Sequence, residues 1–128
     1  MPLGILFVLL LSSCSAVVAD PQLLLNKYAE TTESGGPLTE VLTQSAFIQA
    51  DASRRLLNDL GYSQRGRARF EIWSASDFLV SGCLDLSEVV VVDSQGAFLP
   101  LVQKRSQFSA TITPENLISN FAVSKEQC

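Results

Sequence analysis

Three side chains of this sequence are of types that handle protons in small enzymes: Tyr62, Asp77 and Asp85. A buried aspartate and a tyrosine that face each other can exchange protons with a substrate, because burial shifts their pKa values. Tyr62, however, follows a predicted helix stop and Asp77 lies in a predicted turn. Asp85 lies on the face of a predicted strand that points away from the core. Capping, turn and surface roles therefore outweigh catalysis at all three positions.

The sequence contains no histidine, which removes the commonest general base near neutral pH and the commonest ligand of zinc, copper and iron. Ser-His-Asp and Cys-His mechanisms are therefore excluded. The sequence also has no EF-hand loop pattern and no dense carboxylate cluster, so we predict no metal and no other cofactor.

A row of alternating basic residues is the second candidate site. It consists of Arg65, Arg67 and Arg69, with Trp73 further along the same predicted strand face. Arginine and tryptophan are enriched at interfaces, so this row could contact a partner protein. Its positive charge could also contact an anionic wall polymer or lipid headgroups. The alternative is a solvated strand face whose arginines pair with acidic residues across strands.

Composition limits the class of protein. The chain has 128 residues and a net charge of −4, with a pI near 4.6. A general nucleic-acid binder would need the opposite sign of charge, so nucleic acid is not an expected partner. With 47% hydrophobic and 17% charged residues, the chain has enough apolar material for one folded domain and no room for a second.

The first residues have the pattern of an export leader. Residues 2–11 are nearly all apolar, which suits a signal peptide better than a membrane span of about 20 residues. The segment Leu11-Ser12-Ser13-Cys14 resembles the bacterial lipobox, in which the cysteine receives a diacylglycerol. We therefore predict a leader over residues 1–19 and a single domain over residues 20–128. Cys14 is the predicted lipid attachment site on the outer face of the cell membrane.

Two other fates of the leader stay open. Val17-Val18-Ala19 offers small residues to an ordinary signal peptidase, and cleavage before Asp20 would give a freely secreted protein. An uncleaved leader would be a marginal membrane anchor, because serines and a cysteine interrupt its apolar run.

Three cysteines are present, at positions 14, 83 and 128. If Cys14 carries lipid or leaves with the leader, Cys83 and Cys128 remain as an even pair, and an exported location favours a disulfide between them. In the chain-entropy model, such a bond stabilises the fold by roughly 4 kcal/mol. The alternative is a buried thiol at Cys83 and an unpaired Cys128 at a frayed end.

The first half of the domain has helical patterns. Asp20-Pro21 is a typical helix start, and Gly35-Gly36 would end that helix. A second helix is predicted from Pro37 to a stop at Gly61. Its apolar residues fall at steps of three and four, which predicts one buried stripe consisting of Leu38, Val41, Leu42, Ser45, Ile48, Ala52, Leu56 and Leu60.

From position 64 onward the pattern changes to alternation, which predicts strands. One half-buried strand is predicted over residues 65–73. Residues 81–96 then predict the central hairpin of an antiparallel sheet, with a strand carrying Cys83, a valine run and a turn. Two more strands are predicted, over residues 107–113 and 117–128.

These elements predict an α+β fold, in which two N-terminal helices pack on a curved antiparallel sheet of four to five strands. The architecture would be NTF2-like or cystatin-like. We expect the concavity of the sheet to be filled by four side chains, Phe78, Val80, Phe108 and Phe121, rather than open.

Two segments and the last residue carry a resemblance to a known family. Residues 82–87 (Gly-Cys-Leu-Asp-Leu-Ser), residues 91–96 and the terminal Cys128, behind a lipobox, resemble small secreted lipoproteins of high-GC Gram-positive bacteria. The resemblance implies a signal peptide, a lipidated Cys14, a disulfide between Cys83 and Cys128 and an NTF2-like domain. It implies no activity.

The leading hypothesis is therefore a lipid-anchored, extracytoplasmic domain that binds an envelope protein or a small ligand without catalysing a reaction. The alternative is an NTF2-like isomerase or lyase. An enzyme needs at least two polar side chains that face each other inside a cavity, so the contents of the cavity distinguish the two hypotheses. The sequence does not indicate an oligomeric state.

Overall fold

The computed structural model describes residues 20–128, and the leader, with the predicted lipid site at Cys14 and the cleavage positions, lies outside the described residues. Among the described residues are the helices α1 (Pro21–Ser34) and α2 (Gln44–Asp59), with a short 3₁₀ helix (Leu38–Glu40) between them. The strands are β1 (Ser63–Arg65), β2 (Arg69–Ser76), β3 (Leu79–Asp85), β4 (Val90–Val92), β5 (Phe98–Leu99), β6 (Arg105–Ile112) and β7 (Ile118–Gln127). None of the helices within residues 20–128 is long and apolar enough to cross a membrane.

The fold is α+β, but the predicted single curved sheet is wrong. The strands form two antiparallel sheets, one of three strands in the order β1-β4-β5 and one of four strands in the order β2-β3-β6-β7. Neither sheet curls around a concavity. Within residues 20–128 the sheets therefore do not form the cone that the sequence predicted.

Gly66 separates the two sheets. The predicted strand over residues 65–73 is instead β1, which pairs with β4, and β2, which pairs with β3. Gly66 has a φ of 84°, and a Cβ at this position would overlap the carbonyl oxygen of Glu88. Because only glycine tolerates both the positive φ and the close approach, the chain can leave one sheet and enter the other at this residue.

The predicted central hairpin over residues 81–96 is also divided between the sheets. β3 lies between β2 and β6, whereas β4 lies between β1 and β5, so the two strands are not partners. The turn after the valine run is present as predicted. The carboxylate of Asp93 accepts hydrogen bonds from the backbone N–H groups of Gln95 and Ala97, both at 2.9 Å.

Helix α1 has the predicted ends and contributes one wall of the core. The side chain of Asp20 accepts a hydrogen bond from the N–H of Leu23 at 3.1 Å, and Gly35 ends the helix with a φ of 72°. Its buried residues Leu24, Leu25 and Ala29 belong to the same core cluster as the inner face of the four-stranded sheet.

An aromatic cluster fills the centre of this core. The rings of Tyr28, Phe70, Phe108 and Phe121 contact one another with centroids 5.2–6.4 Å apart. Of the four predicted fillers, Val80, Phe108 and Phe121 therefore belong to the core or pack against it. Phe78 does not, because it forms the β2–β3 turn together with Asp77, and both residues have positive φ.

Helix α2 does not bury the predicted apolar stripe. Ile48, Leu56 and Leu60 are 60%, 61% and 57% exposed. Other residues of the helix, Ala46, Phe47 and Ala50 in its first half, pack against the core instead. The prediction that one stripe continues along this helix is therefore wrong.

The reason is a break in the chain before α2. The residues that begin the predicted stripe, Leu38 to Leu42, belong to the 3₁₀ helix and the turn that follows it. Thr43 then caps α2 by accepting a hydrogen bond from the N–H of Ala46 at 3.4 Å. Because a new helix starts at this cap, the phase of the apolar pattern before it says nothing about which face of α2 is buried.

Candidate functional site

A groove opens where α1, α2 and the three-stranded sheet meet. Its volume is about 530 Å³, which is within the usual range of sites for small molecules. The lining comes from the C-terminal half of α1, the inner face of α2 and the strands β1 and β4, and includes Tyr28, Glu33, Leu38, Arg54, Leu57, Tyr62 and Val91.

Arg54 is the groove residue with an unmet bonding requirement. Its Nη1 donates a hydrogen bond to the carbonyl oxygen of Gly36 at 3.2 Å. Its Nη2 is buried and has no hydrogen-bond partner within residues 20–128. Buried donors nearly always have a partner, so this nitrogen is an exception within the described residues. It has almost no accessible surface, so the groove is reached by other atoms of the half-buried Arg54 side chain.

The charge of Arg54 is also not neutralised by the described part of the chain. Five of the Lys and Arg side chains lie within 2.8–3.6 Å of a carboxylate, in the pairs Lys27–Glu40, Arg55–Asp51, Arg67–Glu33, Arg69–Glu88 and Arg105–Glu71. The other cations of the described range besides Arg54 are Arg65, Lys104 and Lys125, and all three are exposed to solvent. Arg54 is half-buried in the groove.

Glu33 also lines the groove, but it does not neutralise Arg54. Its Oε2 accepts a hydrogen bond from the Nε of Arg67 at 2.8 Å, which places these two groups in an ion pair of their own. The groove therefore keeps a positive charge, although the protein as a whole carries a net charge of −4.

Two tyrosines complete the polar part of the groove. Tyr28 comes from α1, and burial raises the pKa of its phenol, while the charge of Arg54 lowers it by a smaller amount. Tyr62 follows the end of α2 and is held there by a hydrogen bond from its N–H to the carbonyl oxygen of Leu57 at 2.9 Å. Neither hydroxyl has a hydrogen-bond partner in the part of the chain that the structure describes.

The structure does not bring the predicted proton-transfer residues together. Of the three, only Tyr62 lines the groove. Asp77 forms the β2–β3 turn with a φ of 46°. Asp85 accepts hydrogen bonds from the N–H and the hydroxyl of Ser87, and these bonds lower the pKa of its carboxyl group. An acid–base pair is therefore not formed by these residues.

The predicted arginine row is also separated by the fold. Arg65 belongs to β1 and Arg69 to β2, so they lie in different sheets. Arg67 and Arg69 are paired with Glu33 and Glu88, at 2.8 and 2.9 Å. These acidic partners come from distant parts of the chain.

Trp73, which was predicted to continue the row, lies at an irregularity of β2. The pairing with β3 shifts between Ile72 and Ser74, and Trp73 is the residue left without a partner in this register. Its side chain is 53% exposed. The four residues therefore do not form one continuous surface.

In the described range, 20–128, the cysteines and the carboxylates offer no further reactive centre. Cys83 and Cys128 are joined in a disulfide, as predicted, so neither has a free thiol. No group of three or more potential metal ligands occurs within residues 20–128.

Sequence reasoning did not find Arg54, although one signal was available. Neighbouring Arg55 has an acidic partner one helical turn away, in Asp51, and forms an ion pair with it at 2.9 Å. The residues four positions from Arg54 are Ala50 and Asn58, neither of which carries a charge, and Asp51, three positions before it, is the acid that pairs with Arg55. The sequence therefore shows two arginines near one acid, and the structure shows which of them is left without it.

Comparisons with known proteins do not identify a relative. Protein-family models, curated proteins and solved structures give no match to this chain. The resemblance to bacterial lipoproteins therefore remains an expectation from the sequence, and the function must be argued from the groove.

Proposed function

We propose that this protein is a non-catalytic, extracytoplasmic binding domain whose groove holds a small ligand. Lipid on Cys14 would attach it to the outer face of the cell membrane. The observation that carries the proposal is the groove itself, which combines a suitable volume with the two tyrosine hydroxyls and with Arg54, which has no carboxylate partner among residues 20–128. A groove with unused donors is suited to a ligand that accepts hydrogen bonds.

The chemistry of the groove supports binding rather than catalysis. A general base needs a pKa near the working pH and a position next to the substrate. Glu33 is engaged by Arg67, and burial raises the pKa of Tyr28 from a value that is already near 10.0. An isomerase or lyase would need an unpaired carboxylate beside Tyr62. Both predicted aspartates lie outside the groove, and the groove carboxylate, on Glu33, is paired with Arg67.

Three features support the location and the finer fold assignment. The leader pattern and the lipobox at Cys14 favour export, and a disulfide between Cys83 and Cys128 is typical of exported domains. The packing of helices on an antiparallel sheet supports an NTF2-like or cystatin-like relationship, although the site lies beside the sheets. An envelope protein remains a second kind of partner for the same domain.

Two measurements on the full-length protein test this proposal. The intact mass of protein recovered from its own membranes should begin at Cys14 with added diacylglycerol, and a mass beginning at Met1 would contradict the anchor. Thermal unfolding should then be followed with a panel of small neutral, anionic and cationic molecules. We expect at least one class to raise the melting temperature, because a ligand that binds only the folded state stabilises it. If no class does so, the groove is not a ligand site.

A further inference from the structure

We infer that the groove binds a small amphipathic carboxylate, with its anionic head on Arg54 and its apolar body along Leu38, Leu57 and Val91. This inference rests on the proposed function, because it names the ligand class of the same site. It follows from three properties of the groove, namely its charge, its hydrogen-bond donors and its apolar wall.

The charge of the groove requires an anion. A partly buried guanidinium group gains from a nearby anion, because burial removes part of its hydration. Arg54 is half-buried and lines the groove without a carboxylate partner among residues 20–128, and the one groove carboxylate, on Glu33, is taken by Arg67. An anionic ligand would supply the missing charge partner.

The number of charges favours a monoanion. Within the described residues, Arg54 is the one groove cation that has no carboxylate partner. A phosphate group near neutral pH carries close to two charges and is usually held by several cationic or backbone donors. A carboxylate carries one charge and accepts hydrogen bonds at both oxygens, so it matches Arg54 with the hydroxyls of Tyr28 and Tyr62.

The rest of the groove wall is apolar. Leu38 is 3% exposed and forms the floor, whereas Leu57 is 44% exposed and faces an otherwise empty volume. Val91 and Ala50 line the same volume. About 530 Å³ is much more than a carboxylate group needs, so the ligand has an apolar body that covers Leu57.

The test compares three probes that share an alkyl chain and differ in the head group, together with an anion that has no chain. Octanoate, octanamide, octylamine and inorganic phosphate would each be titrated into the full-length protein, with calorimetry and thermal unfolding as readouts. Benzoate would be added as a second carboxylate, to distinguish an aliphatic from an aromatic body. We expect octanoate or benzoate to bind about tenfold or more tightly than octanamide, and octylamine and phosphate to bind no better than octanamide.

Variants then place the carboxylate in the groove. Arg54→Gln should weaken binding of the carboxylate about tenfold or more, because it removes the charge that pairs with the head group. Arg55→Gln is the matched control: this neighbouring arginine is exposed and paired with Asp51, so its loss should leave affinity unchanged. Tyr62→Phe removes one hydroxyl without changing the ring, and should weaken binding by a few fold.

Each other outcome contradicts a specific step. If neutral or cationic probes bind as well as octanoate, the carboxylate inference is wrong while the proposed binding function stands. If Arg54→Gln and Tyr62→Phe each bind octanoate as tightly as the native protein does, its site is not this groove. If no probe and no member of the wider panel binds, both the inference and the proposed function fail. Should Arg54→Gln not fold, the head-group comparison and Tyr62→Phe decide the question.

Discussion

Cys83 and Cys128 join the middle of β3 to the last residue of the chain across the intervening strand β6. Their Cα atoms are 5.8 Å apart, although the residues are separated by 45 positions in the sequence. Cys83 is completely buried. β7 is the edge strand of its sheet and pairs with β6, and a single bridge joins its first residue, Ile118, to Leu42. The disulfide is a further attachment, at the C-terminal end of this strand.

Removing this bond should destabilise the domain substantially. We expect the double variant Cys83→Ala/Cys128→Ala to lose roughly 2–5 kcal/mol of unfolding free energy, as is typical when a small exported domain loses a native disulfide. Urea unfolding with and without reductant measures the effect. The reductant should destabilise the native protein and leave the double variant unchanged. A native protein that unfolds at the same urea concentration in both conditions would contradict this expectation.

The elements that the sequence predicted well are those whose signals are local. The start of α1 depends on Asp20 and Pro21, and its end on Gly35, all within a few residues of the backbone groups that they cap. The turn after the valine run likewise depends on the Asp93 side chain and its immediate neighbours. Such contacts can be read from a short stretch of sequence.

The predictions that were wrong concern features that depend on contacts between distant parts of the sequence. The break at Gly66 is imposed by the backbone of Glu88, which belongs to a different segment. The partners of Arg67 and Arg69 lie 34 and 19 residues away, so no local pattern shows that these arginines are neutralised. The groove has the same origin, since Tyr28, Arg54 and Val91 meet only after both helices have packed.

The orientation of α2 can be tested with a matched pair of alanine variants. Phe47 packs against the core, whereas Leu56 is 61% exposed. Phe47→Ala should therefore lower the free energy of unfolding by about 2–4 kcal/mol. Leu56→Ala should change it by no more than about 0.5 kcal/mol. Urea unfolding of both variants is the measurement. The sequence-derived stripe predicts a large loss at Leu56, so a large loss there would mean that this face is covered in the folded protein.

Tyr28 should make the folded state sensitive to alkali. Burial raises the pKa of its phenol in the folded state above the value of 10.0 expected in the unfolded chain. The contribution of this group to stability is therefore fully present below about pH 10 and is lost as the pH rises through the folded-state pKa. Tyr28→Phe should remove this component of the alkaline loss of stability.

Spectroscopic titration separates the two influences on Tyr28. The difference in tyrosinate absorbance between the native protein and Tyr28→Phe isolates this one phenol from Tyr62. Because the charge of Arg54 lowers the pKa of Tyr28, Arg54→Gln should move the titration further upward. A downward or unchanged midpoint in Arg54→Gln would show that the two groups do not interact.

Arg54 should be important for ligand binding and should contribute little to the stability of the fold. Replacing it with methionine removes the hydrogen bond to Gly36, which for a charged donor is worth about 1.5–3 kcal/mol, but also removes the penalty of about 1–3 kcal/mol for a buried donor without a partner. These contributions oppose each other, so we expect Arg54→Met to change the unfolding free energy by no more than about 1 kcal/mol. The same variant should lose about tenfold or more of its affinity for carboxylates.

Arg55→Met is the control for this last prediction, because it removes an exposed arginine from the same helix and breaks only the ion pair with Asp51. Its expected cost is about 0.3–0.5 kcal/mol, with unchanged binding. A loss of about 3 kcal/mol or more in Arg54→Met would mean that the guanidinium group has a structural partner in the folded protein. An unaltered stability with lost binding would instead mean that this side chain serves the ligand rather than the fold.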